Sequence, residues 1–155
     1  MPSAGPPFHR NAMSIQAILL PVFLQVLLVF ALAVVMGRRR YAAVQAREVR
    51  REDVILGQKN WPAGAQASAN AYSNQFELPV LFFALVPLAI ITRKADLLFV
   101  VLSWVFVASR YVHAGIYVSS NAIPLRFGAF AVGVVALLLM WVVFAVRILA
   151  TPASL

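Results

Sequence analysis

The sequence predicts an all-α integral membrane protein, an antiparallel bundle of four transmembrane helices. Three observations lead there. Of its 155 residues 63% are hydrophobic and 12% charged, so a soluble domain of this size would lack the polar residues to cover its surface. Four apolar runs, about 14–36, 72–92, 95–118 and 125–150, are each long enough for a span of about 20 residues. Between the first and second runs lies a strongly basic connection, 37–60, of the kind that sets membrane orientation.

Residues 1–13 are rich in Pro, Gly and small side chains without periodicity and read as a disordered tail, with Met13 an alternative start to Met1. The first span is broken only by Pro21 and Gln25. Ala31-Leu32-Ala33 resembles a signal cleavage site, but the apolar run exceeds the ~7–15 residues of a signal core and ends on Arg38-Arg39-Arg40. Gly37 is the expected helix terminus, with the three arginines meeting lipid headgroups. Arg47, Arg50, Arg51 and Lys59 then outnumber Glu48, Glu52 and Asp53. The positive-inside rule therefore places 37–60 in the cytoplasm and both termini outside, even though Arg93 and Lys94, beside Asp96, fall on the outer side.

Asn60-Trp61-Pro62 predicts the next helix start, with Asn as cap, Trp at the interface and Pro in the first turn. That helix is expected to continue to about Thr92, its early turns lined by small residues such as Gly64, Ser68, Ala67 and Ala71 that let backbones approach. Pro79 and Pro87 are candidate kinks. The short outer turn Arg93–Asp96 makes the third span antiparallel to the second, and residues 119–124 are turn chemistry before the fourth. Residues 151–155 form a short tail. The net charge of +8 belongs to this topology rather than to a nucleic-acid surface, since most of it sits in one loop beside a span. The chain has no cysteine, which excludes disulfides, thiolate metal sites and cysteine nucleophiles. No metal site is expected.

Function is sought where ionisable groups enter the membrane. Arg110, His113 and Tyr117 lie at i, i+3 and i+7 on one face of the third span, and Arg126 opens the fourth. Asn70, Asn74 and Glu77 share a face of the second helix. The topology gathers all of these in the cytoplasmic half. At about 1.5 Å per residue Arg110 lies roughly 12 Å inward of the helix end, at a depth comparable to Glu77, and a buried Glu77–Arg110 ion pair is expected. Arg126 offers a rigid fork for a carboxylate, phosphate or thiolate, Tyr117 a hydroxyl donor, and His113 an acceptor, donor or titrating group. Together they describe a cationic pocket for an anionic amphiphile or an acidic cofactor. Each residue also has a simpler role: Arg126 as headgroup anchor, Tyr117 in the aromatic belt, His113 as a structural hydrogen-bonder, Asn70 and Asn74 as interhelical glue.

The motifs Asn74-Gln75-Phe76-Glu77-Leu78-Pro79, then Arg110, His113 and Tyr117, then Pro124-Leu125-Arg126-Phe127-Gly128, resemble the MAPEG family, membrane-associated proteins in eicosanoid and glutathione metabolism. The resemblance covers about 14–150 and implies a homotrimer binding glutathione between subunits near the cytoplasmic side. It implies site roles for Asn74, Glu77, Arg110, His113, Tyr117 and Arg126, with Asn70 nearby and Arg126 and Tyr117 closest to the reacting sulfur. A cation or hydroxyl there favours the nucleophilic thiolate. The lipophilic partner would arrive from the bilayer. Glutathione-using relatives carry additional arginines where this chain has Asn70, Ala71, Tyr72 and Ser73, and some carry serine where it has Phe127. In this it more closely resembles bacterial members of the family whose substrates are not defined, and a bacterial inner membrane is the expected location. The implied activity is glutathione S-transferase or peroxidase chemistry. The alternative is non-catalytic binding of a fatty acid or other anionic lipid. A small transporter is disfavoured because no discontinuous helix is expected.

Overall fold

The computed structural model describes residues 13–55, 57 and 60–150. The tails expected at 1–13 and 151–155 lie outside these, apart from Met13. Five α-helices follow in order: α1 Ile15–Gln45, α2 Ala63–Ser73, α3 Leu78–Ile91, α4 Leu97–Val118 and α5 Ile123–Leu149. With α2 and α3 counted as one stretch, four helical segments are long and apolar enough to cross a membrane.

Helix α1 shows why the bundle forms. Ile18, Pro21, Gln25, Leu28 and Leu32 are buried at helical spacing, whereas Leu20, Phe23, Leu27, Phe30 and Val34 stay exposed on the other side. A helix apolar on both faces belongs in lipid, which covers the outer stripe. The inner stripes of α3, α4 and α5 meet in a core of Phe82, Leu85, Val86, Phe106, Val107, Leu137 and Met140. Helix α5 packs chiefly on α4. They approach closely at Gly133, where an added Cβ would stand 2.6 Å from Ser109 Oγ.

Three local expectations change. Helix α1 does not stop at Gly37 but runs two turns further, through the arginines, to Gln45. Glycine interrupts a helix only weakly when no turn is built behind it. The stop comes at Arg47, which takes a left-handed φ of 55°, with Glu48 N–H bonding Ala43 O and Arg47 N–H bonding Val44 O, a Schellman termination. Asn60 is not the cap of α2. Its side chain donates to the Asp53 carbonyl at 3.1 Å and ties the loop to itself, while Pro62 occupies the cap position without a side-chain bond.

The third change matters most for function: the second span is discontinuous. Helix α2 ends at Ser73, residues Asn74–Phe76 tighten into a 3₁₀ turn, and Glu77, at φ −101° and ψ −105°, redirects the chain into α3. Pro79 lies in the first turn of α3. Its missing N–H and its ring are incompatible with a carbonyl four residues back in a continuing helix, but are tolerated in a first turn. Pro79 thus starts a new helix where a kink was expected.

Two polar clasps hold the broken span in place. Gln25 Nε2 donates to Gln75 Oε1 at 2.9 Å and Gln75 Nε2 donates to Ala71 O at 2.9 Å, both in the interior. Arg39 Nη1 donates to Gly64 O at 3.0 Å and Nη2 to Val118 O at 2.7 Å. One guanidinium therefore joins α1 to the start of α2 and to the carbonyl end of α4, where a cation is favoured. The small residues of α2 serve the same packing: Ala65, Ser68, Ala69 and Ala71 are buried, and α2 lies mainly on α1 and α4.

Candidate functional site

The break in the second span presents Asn74 and Glu77 at the loop end of the bundle. With its amide oriented to donate, Asn74 Nδ2 lies 3.0 and 3.1 Å from the two Glu77 carboxylate oxygens. The expected Glu77–Arg110 ion pair is not formed: no Arg110 nitrogen lies within 4.0 Å of that carboxylate. Arg110 Nη2 reaches the Asn74 backbone carbonyl at 3.5 Å instead, a long contact, and its Nε and Nη1 have no partner. The physical reason is the 3₁₀ turn, which puts the Asn74 carbonyl toward Arg110 and hands the carboxylate to the Asn74 amide.

Helix α4 supplies His113 and Tyr117 one turn apart, with ring centroids 5.8 Å from each other in an edge-to-face arrangement. Helix α5 supplies Arg126. Asn121, at a left-handed φ of 50°, ends the preceding turn and Pro124 lies in the first turn of α5, so Arg126 is delivered close to Tyr117. Its guanidinium lies 4.1 Å over the Tyr117 ring and also donates to the Asn121 side-chain oxygen. The backbone carbonyl of Arg126 lies 3.0 Å from His113 Nδ1.

These groups surround two cavities that share one wall. The first, about 310 Å³, is lined by Asn74, Glu77, His113, Tyr117 and Arg126 together with apolar Ile123, Phe127 and Phe130. The second, about 450 Å³, shares Asn74, Glu77 and Tyr117 and is otherwise lined by Asn70, Ser73, Gln66, Arg40, Trp61 and three smaller groups. Of the sequence-derived site residues, only Arg110 lines neither cavity. It is buried behind Asn74.

Several contributors were not singled out as site residues. Arg40 sits 4.8 Å from the Trp61 ring centroid and keeps a buried Nε without a partner. Gln66 bonds Asn70 Oδ1 at 2.8 Å and leaves its own Oε1 buried and unpaired. The Arg40–Trp61 contact depends on α1 running past Gly37, which no local signal marks. Gln66 lies one turn before Asn70 and could have been found from that spacing.

No curated protein and no solved structure matches the chain. A family model, that of the MAPEG family, matches residues 18–146, which take in α2, α3 and α4 whole, all but the outermost three residues of α1 and of α5, and every residue lining the two cavities. The four-span architecture and the motif order agree with that match, and the chain belongs to the MAPEG family of membrane proteins.

Proposed function

We propose that this protein is a glutathione-dependent MAPEG enzyme with S-transferase or peroxidase chemistry on lipophilic electrophiles. It works as a homotrimer in a bacterial inner membrane, with the basic loop cytoplasmic and both termini outside. One observation carries the reading: a polar cavity and a partly apolar one share Asn74, Glu77 and Tyr117 as a common wall. A hydrophilic thiol peptide and an electrophile dissolved in lipid need two such environments meeting at one place.

The residues fit glutathione. The orphaned Arg40 Nε and Gln66 Oε1 provide a buried donor and a buried acceptor in the polar cavity, as a ligand carrying both carboxylates and an ammonium requires. When bound, glutathione supplies the thiol nucleophile. Arg126 and Tyr117 favour its ionised form electrostatically. Asn74 fixes the Glu77 carboxylate, His113 contacts the ligand, Arg110 supports the Asn74 carbonyl from behind, and Asn70 with Ser73 lines the polar side. Glu77 also supports the trimer. It is exposed in the protomer yet about 21 Å from the far end of α3 at 1.5 Å per residue, inside an apolar core of about 30 Å. A carboxylate there is costly against lipid, and a second copy covers it.

Isothermal titration of detergent-purified protein with glutathione tests the reading, alongside conjugation of chlorodinitrobenzene. Saturable binding with conjugation is expected. The absence of both at millimolar glutathione would sink it.

A second reading is favoured by one observation. Among the described residues Arg126 is the one cation lining the partly apolar cavity, which suits the single carboxylate of a fatty acid. Native mass spectrometry separates the readings. A co-purifying acidic lipid lost in Arg126→Ala supports non-catalytic lipid binding, and retained glutathione opposes it. The break falls near the middle of the Ala63–Ile91 stretch, but at about 21 Å from the far end of α3 it lies past the midplane of an apolar core of about 30 Å, and a transporter is not proposed.

A further inference from the structure

Of all the polar atoms left without a partner, one is defined by the bond its own ring makes. His113 is 4% exposed and lines the partly apolar cavity. Its Nδ1 lies 3.0 Å from the Arg126 backbone carbonyl. A carbonyl oxygen only accepts, so Nδ1 carries the proton. In the neutral ring Nε2 is then an unprotonated acceptor, and it is buried with no partner. Tyr117 and Phe130 hold the ring by edge and tilted contacts at 5.8 Å each. An oriented imidazole at a cavity wall, with one nitrogen committed to a carbonyl and the other unpartnered, is the arrangement of a general base.

We infer that His113 is the proton acceptor of this site: Nε2 takes the S–H proton of the thiol ligand while the Arg126 carbonyl fixes the tautomer. The inference rests on the glutathione reading and assigns a chemical role to a residue otherwise placed as a ligand contact. The S–H bond breaks, its electron pair stays on sulfur, and the proton moves to Nε2. When sulfur bonds the ring carbon of chlorodinitrobenzene, chloride leaves with the carbon–chlorine pair and His113 returns its proton to water. The charged and titratable groups around His113 are Arg110 on its own helix, Tyr117 one turn on, Arg126 from α5 and Glu77 from the break in the second span. Arg126 is placed to stabilise the sulfur charge as the proton departs.

Two variants separate a base from a structural hydrogen-bonder. His113→Asn keeps an amide N–H for the Arg126 carbonyl and has no atom at the Nε2 position. His113→Gln places an amide near Nε2 that cannot take a proton. Both are expected to unfold at the wild-type temperature, while kcat for chlorodinitrobenzene, measured at saturating glutathione, falls about 100-fold, the lower end of general-base effects. The second readout needs no turnover: nitrogen NMR of the labelled imidazole in wild-type protein. Glutathione should shift the Nε2 signal, whereas S-methylglutathione, which has no thiol proton, should leave it in place. Wild-type kcat in both variants, or equal shifts from the two peptides, overturns the inference while leaving glutathione binding intact. No calorimetric binding by wild type overturns the glutathione reading and this inference with it.

Discussion

The two ends of the bundle are built from the same residue types and differ in how completely they are satisfied. At the end away from the loop, Asp96 caps α4 by accepting from Phe99 N–H at 3.1 Å and pairs with Arg147 Nη2 at 2.6 Å, while Arg147 Nη1 reaches Lys94 O at 3.4 Å. At the loop end, buried nitrogens of Arg40, Arg110 and His113 and a buried oxygen of Gln66 have no partners. A buried polar group without a partner costs free energy. On the other half Trp141 Nε1 of α5 is also buried without a partner, so the closed end is the more nearly satisfied of the two, and the open end holds most of the unused hydrogen-bonding capacity. Four substitutions test this contrast.

The largest effect is expected where the clasp between α1 and the broken span is cut. Gln75→Leu would leave the whole Gln25 side-chain amide, which is 0% exposed, without a partner. The expected cost is about 3 kcal/mol, the upper end for an orphaned buried group. The double change Gln25→Leu with Gln75→Leu should recover most of that, since replacing both partners by apolar groups is nearly neutral. Reversible unfolding in detergent reads the cycle. Equal destabilisation in the single and double variants would show that the amide pair does not couple the two helices.

A smaller loss is expected at Arg39. Arg39→Ala frees the Gly64 and Val118 carbonyls, but both lie near the loop end where water can reach them, so the cost is about 1.5 kcal/mol, the low end for a charged donor. Hydrogen exchange should quicken at the start of α2 and through the end of α4, and not in α3. Uniform exchange across the bundle would contradict a local clasp.

These two clasps also mark the limit of what could be read from the chain. Four spans follow from runs of apolar residues far longer than any competing signal, and the site face of α4 follows from the i, i+3, i+7 spacing of Arg110, His113 and Tyr117. Gln25 and Gln75 stand 50 residues apart, and each alone is an ordinary interruption of a hydrophobic run. Their pairing exists only once α1 is docked. The break at Asn74–Glu77 was half legible: Pro79 announces an irregularity, but whether a membrane helix kinks or restarts depends on which neighbours accept the freed groups. The Glu77–Arg110 pair was inferred from depth alone. Depth brings groups to one level without saying which way they face.

At the closed end the effect should be small. Asp96 and Arg147 side chains are 46% and 31% exposed, so screening holds the pair to less than about 1 kcal/mol. Asp96→Asn keeps an oxygen for the Phe99 N–H and removes only the charge. The Arg147 guanidinium holds the Asp96 carboxyl below its ordinary value of 3.8. A carboxylate depressed in the folded state stabilises above its unfolded value, and that contribution disappears as pH falls through the lower folded one. Wild type and Asp96→Asn should therefore differ slightly at neutral pH and converge in acid below 3.8. A gap that persists in acid would show that something other than the ion pair is lost.

The smallest effect is expected at the most deeply buried charge. If Arg110 were half of an ion pair, removing it would strand Glu77 and cost about 3–5 kcal/mol. The structure gives it one long contact to the Asn74 carbonyl and two unpartnered nitrogens at 1% exposure. Arg110→Met fills the same channel through the core without a charge to desolvate, and the loss of a weak bond is offset by the loss of that penalty. Stability should change by less than about 1 kcal/mol, in either direction. Glutathione binding should weaken, because the Asn74 carbonyl loses its backing and the amide that holds Glu77 is free to turn. A variant that unfolds as readily as a broken ion pair would place Arg110 with the satisfied groups of the opposite end. Unchanged stability with weakened binding would mean that this guanidinium is kept for the site it stands behind.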